Sequence, residues 1–106
     1  MHIGIHSQGF RLTPAMEAFV RARLTPLGRF GGAIERILVR LRDENGPRGG
    51  VDKRCRMAVQ LRGRRPLILD ERRSDLYEAI GQVAERARHH VARSTQRHAE
   101  FLRRRS

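Results

Sequence analysis

The sequence predicts an α+β domain, a two-layer sandwich in the order β-α-β-β-β-α with two helices packed on one face of a four-stranded mixed sheet. Three observations carry that prediction. Short segments alternate polar and apolar residues, as half-buried strands do. Two longer segments repeat apolar residues at helical spacing. The chain has 106 residues, 39% of them hydrophobic, which suits one core and is too apolar for a fully disordered chain.

Residues 2–6, His-Ile-Gly-Ile-His, read as the first strand, with Ile3 and Ile5 facing inward. Gln8-Gly9 turns the chain, and Thr13-Pro14 starts a helix. Thr13 can cap it, and Pro14 sits where a missing N–H costs nothing. Met16, Phe19, Val20, Leu24 and Leu27 follow on one face, Phe30 closes it, and Gly31-Gly32 ends the helix. Pro26 conflicts with that span, because a proline inside a helix kinks or interrupts it, here near Arg23.

Residues 34–42 place Ile37, Val39 and Leu41 on one face and Arg36, Arg40 and Arg42 on the other. The segment 45–50, NGPRGG, reads as a flexible connection. Residues 53–62 alternate Cys55, Met57, Val59 and Leu61 with Arg54, Arg56, Gln60 and Arg62. Gly63-Arg64-Arg65 makes a hairpin into a fourth strand at 66–71. Asp75 and Glu78 fit a capping box for the last helix, whose buried stripe is Leu76, Ile80, Val83, Ala87 and Val91. Beyond Arg93 the stripe fades. The expected organisation is a folded domain over 1–97 and a basic, frayed tail over 98–106. A strand returning through a helix to a parallel neighbour makes a right-handed crossover.

Charge sets the class of partner. There are 23 basic residues against 11 acidic ones, a formal net charge of +12, and every basic residue but Lys53 is arginine. Arginine presents a planar fork of donors that matches phosphate and stacks on bases. A polyanion is the expected partner, nucleic acid ahead of an acidic membrane or protein. Cys55 is the single cysteine, so the chain can form neither an internal disulfide nor a thiolate metal cluster. The N-terminus has no signal-peptide pattern and no stretch is apolar enough to span a membrane; a soluble, cytoplasmic protein is expected.

On the last helix Arg86, His90, Arg93 and Arg97 recur at steps of four, three and four, and Arg88 and His89 flank them. On the first, Arg21, Arg23 and Arg29 lie outside the apolar set. If the helices pack side by side, the two groups border a shared groove or ridge able to neutralise several phosphates. These nine residues are the expected RNA-binding set. The sheet's outer face is basic too, through Arg36, Arg40, Arg42, Arg54, Arg56 and Arg62. That face reads equally as an RNA contact or as solvated charge that keeps strand edges from pairing.

Nothing in the sequence has the pattern of a catalytic or metal site. His89 and His90 are adjacent and point about a quarter-turn apart, no H-E-x-x-H spacing occurs, and His2 and His6 share a strand face with no paired carboxylate or thiolate. Cys55 takes an inward strand position, as an inert buried thiol does. No glycine-rich phosphate loop opens a helix. The aromatic residues fall at core-like positions, which favours backbone and shape recognition over base stacking.

The segment Asp75-Leu76-Tyr77-Glu78-Ala79-Ile80 resembles the D-M-Y-x-A-I opening of the second helix in ribosome hibernation-promoting factors, also called ribosome-associated translation inhibitors. Leu24, Leu27, Arg29 and Phe30 are similar to the end of that family's first helix, and the short first strand entering Leu12-Thr13 also fits. The likeness covers residues 1–97. It implies a domain on the small ribosomal subunit, in the channel where mRNA and the A- and P-site tRNAs lie, with helix cations facing ribosomal RNA. Arg23, Arg29, Arg86 and Arg93 match basic family positions, and His89 stands where a basic residue is frequent. Pro26 and Gly81 depart from the pattern, replacing a basic residue and an acid. Long members add a ribosome-pairing domain for which this chain has no room, so it is expected to silence single ribosomes or to act with a separate pairing factor. The resemblance implies steric inhibition of translation, with no enzymatic activity, no cofactor, no small-molecule substrate and no membrane. Its nearest rival is a constitutive ribosomal or double-stranded-RNA-binding protein; a nuclease using His89 or His90 and a protein-interaction module acting on transcription are further alternatives.

Overall fold

Alternating burial makes the strands. The computed structural model describes residues 1–44 and 51–105; the expected connection at 45–50 lies outside the described residues. Strand β1 (His2–Gln8) leads to helix α1 (Pro14–Leu24) and a 3-10 helix (Thr25–Phe30). Strands β2 (Ile34–Asp43), β3 (Lys53–Leu61) and β4 (Leu67–Arg73) follow, then helix α2 (Leu76–Arg105). The sheet order is β1-β2-β3-β4. β1 runs parallel to β2, and the other pairings are antiparallel. The expected α+β architecture, with both helices on one face of a four-stranded mixed sheet, is the one observed.

On β2 and β3, Ile37, Val39, Leu41, Cys55, Met57, Val59 and Leu61 are at most 2% exposed. Strict alternation would turn Ile34 outward, yet it is buried as well. A register shift between Ile34 and Arg36 restores its inward direction, as an extra residue in one strand does. From α1 come Val20 and Leu24, from the 3-10 helix Leu27, and from α2 a stripe from Leu76 to Val91. α2 lies across β3 and β4 and packs beside α1. Each fully buried Leu, Ile or Val side chain contributes about 1.5–3 kcal/mol of hydrophobic stabilisation.

Both helices start at the capping residue that the sequence indicates, but the capping box at the second is only half formed. Thr13 is extended and its Oγ1 accepts from the Met16 N–H at 3.1 Å. Asp75 Oδ1 accepts from the Tyr77 N–H at 3.0 Å. Glu78, expected to reach back to that cap, stands instead 3.7 Å from Arg73 Nε.

The conflict at Pro26 is settled by a change of helix type. Pro26 has no N–H to give, and its ring would crowd the carbonyl four residues back. The α-helix therefore stops at Leu24 and the chain tightens into 3-10 geometry, with the Thr25 N–H bonded to the Ala22 carbonyl. The apolar face survives the change, since Leu27 stays buried and Phe30 packs on the core.

Several boundaries differ from expectation: β1 runs on to Gln8, the ends of β2 and β3 and the start of β4 shift by one residue, and two elements run on at their C-terminal ends. β4 extends to Arg73, two residues past the expected end, because Arg72 and Arg73 pair with Arg54 and Lys53 of β3. α2 continues through Arg105, where fraying was expected. Its 30 residues span about 45 Å, longer than any strand, so its end overhangs the sheet. Once a helix is nucleated, Ala99, Leu102 and Arg103 to Arg105 extend it at little cost.

Candidate nucleic-acid interface

The expected site residues divide into three groups according to which flank of each helix faces what. Residues two apart on a helix point about 200° from each other, and this separates Arg86 from Arg88. Arg86 is on the flank toward β4. Its Nη1 donates to the Asp70 carbonyl at 3.0 Å and lies 2.8 Å from Glu71 Oε1, a carboxylate only 12% exposed. His90, Arg93 and Arg97 continue the same flank along α2. Arg93 and Arg97 are exposed and make no ion pair among the described residues.

Arg88 is on the opposite flank, toward α1. It lines a narrow groove of about 110 Å³ with Ala22, Arg23, Pro26, Leu27, Ala84 and Glu85. Arg23 spans the groove, its Nη2 3.4 Å from the Gly81 carbonyl. Gly81 explains that approach: a Cβ there would meet Arg23 Nη2 at 3.3 Å. The groove expected between the two helical groups thus joins Arg23 to Arg88, whereas Arg86, His90, Arg93 and Arg97 form a separate ridge. Glu85 sits between, 2.7 Å from Arg88 Nη2 and 3.2 Å from His89 Nε2. The Arg88 hydrogen bond, and then the Arg88 charge and the nearby His89 ring, hold the Glu85 carboxyl below its usual range against the opposing effect of burial.

Arg21 and Arg29 stand apart from both. Arg21 is exposed and paired with Glu17 at 3.2 Å, one helical turn away. Arg29, on the 3-10 helix, lies over the Phe30 ring with 5.1 Å to its centroid.

The open face of the sheet is more ordered than its sequence suggests. Register sets Arg42 opposite Arg54 and Arg40 opposite Arg56, and Arg54 in turn opposite Arg72. His6 and Gln8 of β1 flank Arg40 and Arg42. Arg72 was missed by sequence reasoning because β4 was ended at Glu71, two residues too soon; continuing its alternation would have found it. Arg54 donates from Nε to Asp70 Oδ1 at 2.9 Å. That contact dominates in holding the Asp70 carboxyl below its ordinary range. Arg62 lies past the end of β3 and bonds the Gly32 carbonyl at 3.2 Å.

Arg64 is a further cation without an expected role. It reaches from the β3–β4 hairpin to Ser94 Oγ on α2 at 3.0 Å, fixing the hairpin to the helix between Arg93 and Arg97 of the basic ridge. Cys55 is fully buried; burial first, then the nearby carboxylates Asp70 and Glu71, push its thiol up to about 12. Among the described residues no group of three His, Cys, Asp or Glu could hold a metal ion, and no helix is long and apolar enough to cross a membrane. The arrangement of cations can hold phosphates.

Solved structures share this fold. A ribosomal subunit interface protein from Coxiella burnetii superposes with a TM-score of 0.75 at 17% identity, covering 91% of this chain and 99% of that one. The N-terminal domain of Thermus thermophilus Protein Y superposes with a TM-score of 0.74 at 25% identity, covering 88% and 98%. No curated protein sequence matches. Residues 3–99, nearly the whole chain, match the sigma 54 modulation protein / S30EA ribosomal protein family, and the protein belongs to it.

Proposed function

We propose that this protein is a ribosome hibernation factor that binds the small ribosomal subunit in its mRNA and tRNA channel and blocks translation by occupying that space. The observation that carries this reading is the family match over residues 3–99. The charge geometry agrees with it: a +12 chain carries a ridge of cations on α2, and its outer members, Arg93 and Arg97, have no acid to neutralise them among the described residues.

The mechanism is steric and electrostatic. Arg93 and Arg97, with His90 and Arg86, hold ribosomal RNA phosphates along one flank of α2. Arg23, Arg88 and His89 engage RNA from the α1 side, and Arg21 and Arg29 extend that contact. No bond is made or broken; the folded body excludes mRNA and the A- and P-site tRNAs. Several phosphate contacts together make such binding fall steeply with salt.

The test is a translation assay with purified ribosomes. Inhibition should saturate when protein and small subunits reach equal numbers, leave ribosomal RNA intact, and weaken when the subunits are preloaded with mRNA and tRNA. Inhibition at far below one protein per ribosome, accompanied by cut RNA, would replace this reading with a nuclease. Equal binding to preloaded and empty subunits would remove the channel from the account.

A further inference from the structure

The arginines of the open sheet face lie where charge has no evident structural use. Charged side chains are frequent on edge strands, where they prevent pairing with other chains. Arg40, Arg42, Arg54 and Arg56 are on β2 and β3, the two central strands, which already have neighbours on both sides. Directly opposed residues stand about 4.5–5.5 Å apart at Cβ, and like charges there destabilise a sheet. The face nonetheless sets Arg42 against Arg54 and Arg40 against Arg56. Asp70, the carboxylate of this patch, is hydrogen-bonded to Arg54, and Glu44 stands 3.4 Å from Arg72. Arg40 and Arg42 make no ion pair among the described residues; Arg56 stands opposite Asp70 across the β3–β4 pairing and helps to lower that carboxyl, without a close ion pair.

These side chains surround a space. A shallow cleft of about 350 Å³ is lined by His6, Gln8, Arg40, Arg42, Arg54 and Arg56. Next to it, across Arg40 and Arg56, lies a second cleft of about 290 Å³ floored by Leu38, Ala58 and Ile68; Ile68 is 50% exposed. A cationic cleft adjoining an apolar one matches a chain that alternates phosphate with nucleoside. Guanidinium groups at the boundary can both hold a phosphate and stack on a base. An acidic protein or a layer of lipid headgroups would use the cations and leave the adjoining apolar cleft unexplained.

We propose that the open face of the sheet is a second RNA-binding surface, in which Arg40, Arg42, Arg54 and Arg56 hold successive backbone phosphates and Leu38, Ala58 and Ile68 receive an adjoining nucleoside of a single strand. The surface is opposite the helices, so the domain binds RNA on both sides. The proposal rests on the ribosomal reading only for where such RNA is met.

The experiment titrates isotopically labelled protein with a hexauridylate and follows amide shifts, alongside the variant R40Q/R42Q/R56Q. Shifts should concentrate at His6, Arg40, Arg56 and Ile68. The variant should bind about tenfold more weakly, with a salt dependence shallower by about two, from roughly 0.7 per phosphate contact on a single strand. Its melting temperature should equal or exceed the parent's, because opposed like charges are gone; a purely structural role for these arginines requires a fall. Should the triple variant fail to fold, R40Q alone must lower the salt dependence by about 0.7. Shifts confined to the helices, or a variant with parental affinity, overturn the proposal. So does loss of phosphatidylserine-vesicle binding in the variant with hexauridylate binding intact, since the partner is then a membrane. If the parent fails to sediment with small subunits but binds hexauridylate through the sheet, the ribosomal reading falls and this surface stands.

Discussion

The two halves of α2 carry the same residue type to different ends. In the first half, down to Val91, arginines stand over a buried stripe and are drawn into the fold: Arg86 is tied to Glu71 and the Asp70 carbonyl, and Arg88 to Glu85. In the second half, from Ala92 to Arg105, no residue is fully buried, and Arg93 and Arg97 have no acid partner among the described residues. A cation already bonded to a carboxylate has a competitor that a phosphate must displace, whereas an unpaired one has only water to lose. A regular row of arginines in sequence therefore contains two populations, one spent partly on stability and one available for a partner.

Charge reversal at the unpaired end should produce the largest effect. R93E/R97E is expected to lower affinity for small subunits roughly a hundredfold by losing two phosphate contacts and adding repulsion, with an unchanged melting temperature. Calorimetry and sedimentation together check both halves of that statement. Truncation at the paired end should reverse the balance. Arg86→Ala leaves Glu71 with Arg73 alone (2.7 Å), and unfolding by urea should show a loss of about 1 kcal/mol, kept small by the exposure of Arg86. Equal stability losses for Arg86→Ala and Arg93→Ala would dissolve the distinction.

Smaller effects sharpen it further. Gly81→Ala should stabilise the domain by about 0.5 kcal/mol, because alanine is the better helix former and the obstructing atoms are the far end of the exposed Arg23 side chain; a destabilised variant would mean that the Arg23 bridge is rigid. Acid should act on two carboxylates, Glu85 in the paired half of α2 and Asp70 beside Arg54 on the sheet. Asp70 and Glu85 have carboxyls held below their ordinary values of 3.8 and 4.5. Their contribution is present above those values and is lost as pH falls through the lowered folded ones. At the alkaline end the sign is opposite: the Cys55 thiol is raised from 9.0 to about 12, so its contribution is intact below 9 and declines as pH rises toward 12. The same thiol should resist alkylation at pH 8 until the protein is unfolded, and rapid labelling of the folded protein would contradict its burial.

The fold was legible wherever one local rule decided the outcome. Alternation gave the inward faces of β2 and β3, four-and-three spacing gave the stripe of α2, and Thr13 and Asp75 gave the helix starts. What escaped sequence reasoning depends on partners distant along the chain. Arg86 reads as one of a row until Glu71, fifteen residues earlier, is brought beneath it by the turn between β4 and α2. The end of β4 is fixed by pairing of Arg72 and Arg73 with β3 rather than by their own propensities. Pro26 announced a disturbance, but whether the helix would kink or change type depended on keeping Leu27 and Phe30 on the core. The site residues were legible as a set of cations, not as a ridge and a groove, because the split between Arg86 and Arg88 shows only once β4 and α1 take their places on either side of α2.

The most direct test of the account is sedimentation of the protein with purified small ribosomal subunits across a salt series, comparing the parent with R93E/R97E. The account predicts tight binding by the parent at low salt, a steep decline as salt rises, and a shallower, weaker curve for the variant, its dependence reduced by about two phosphate contacts. Parental binding that ignores salt, or two curves that coincide, would contradict it.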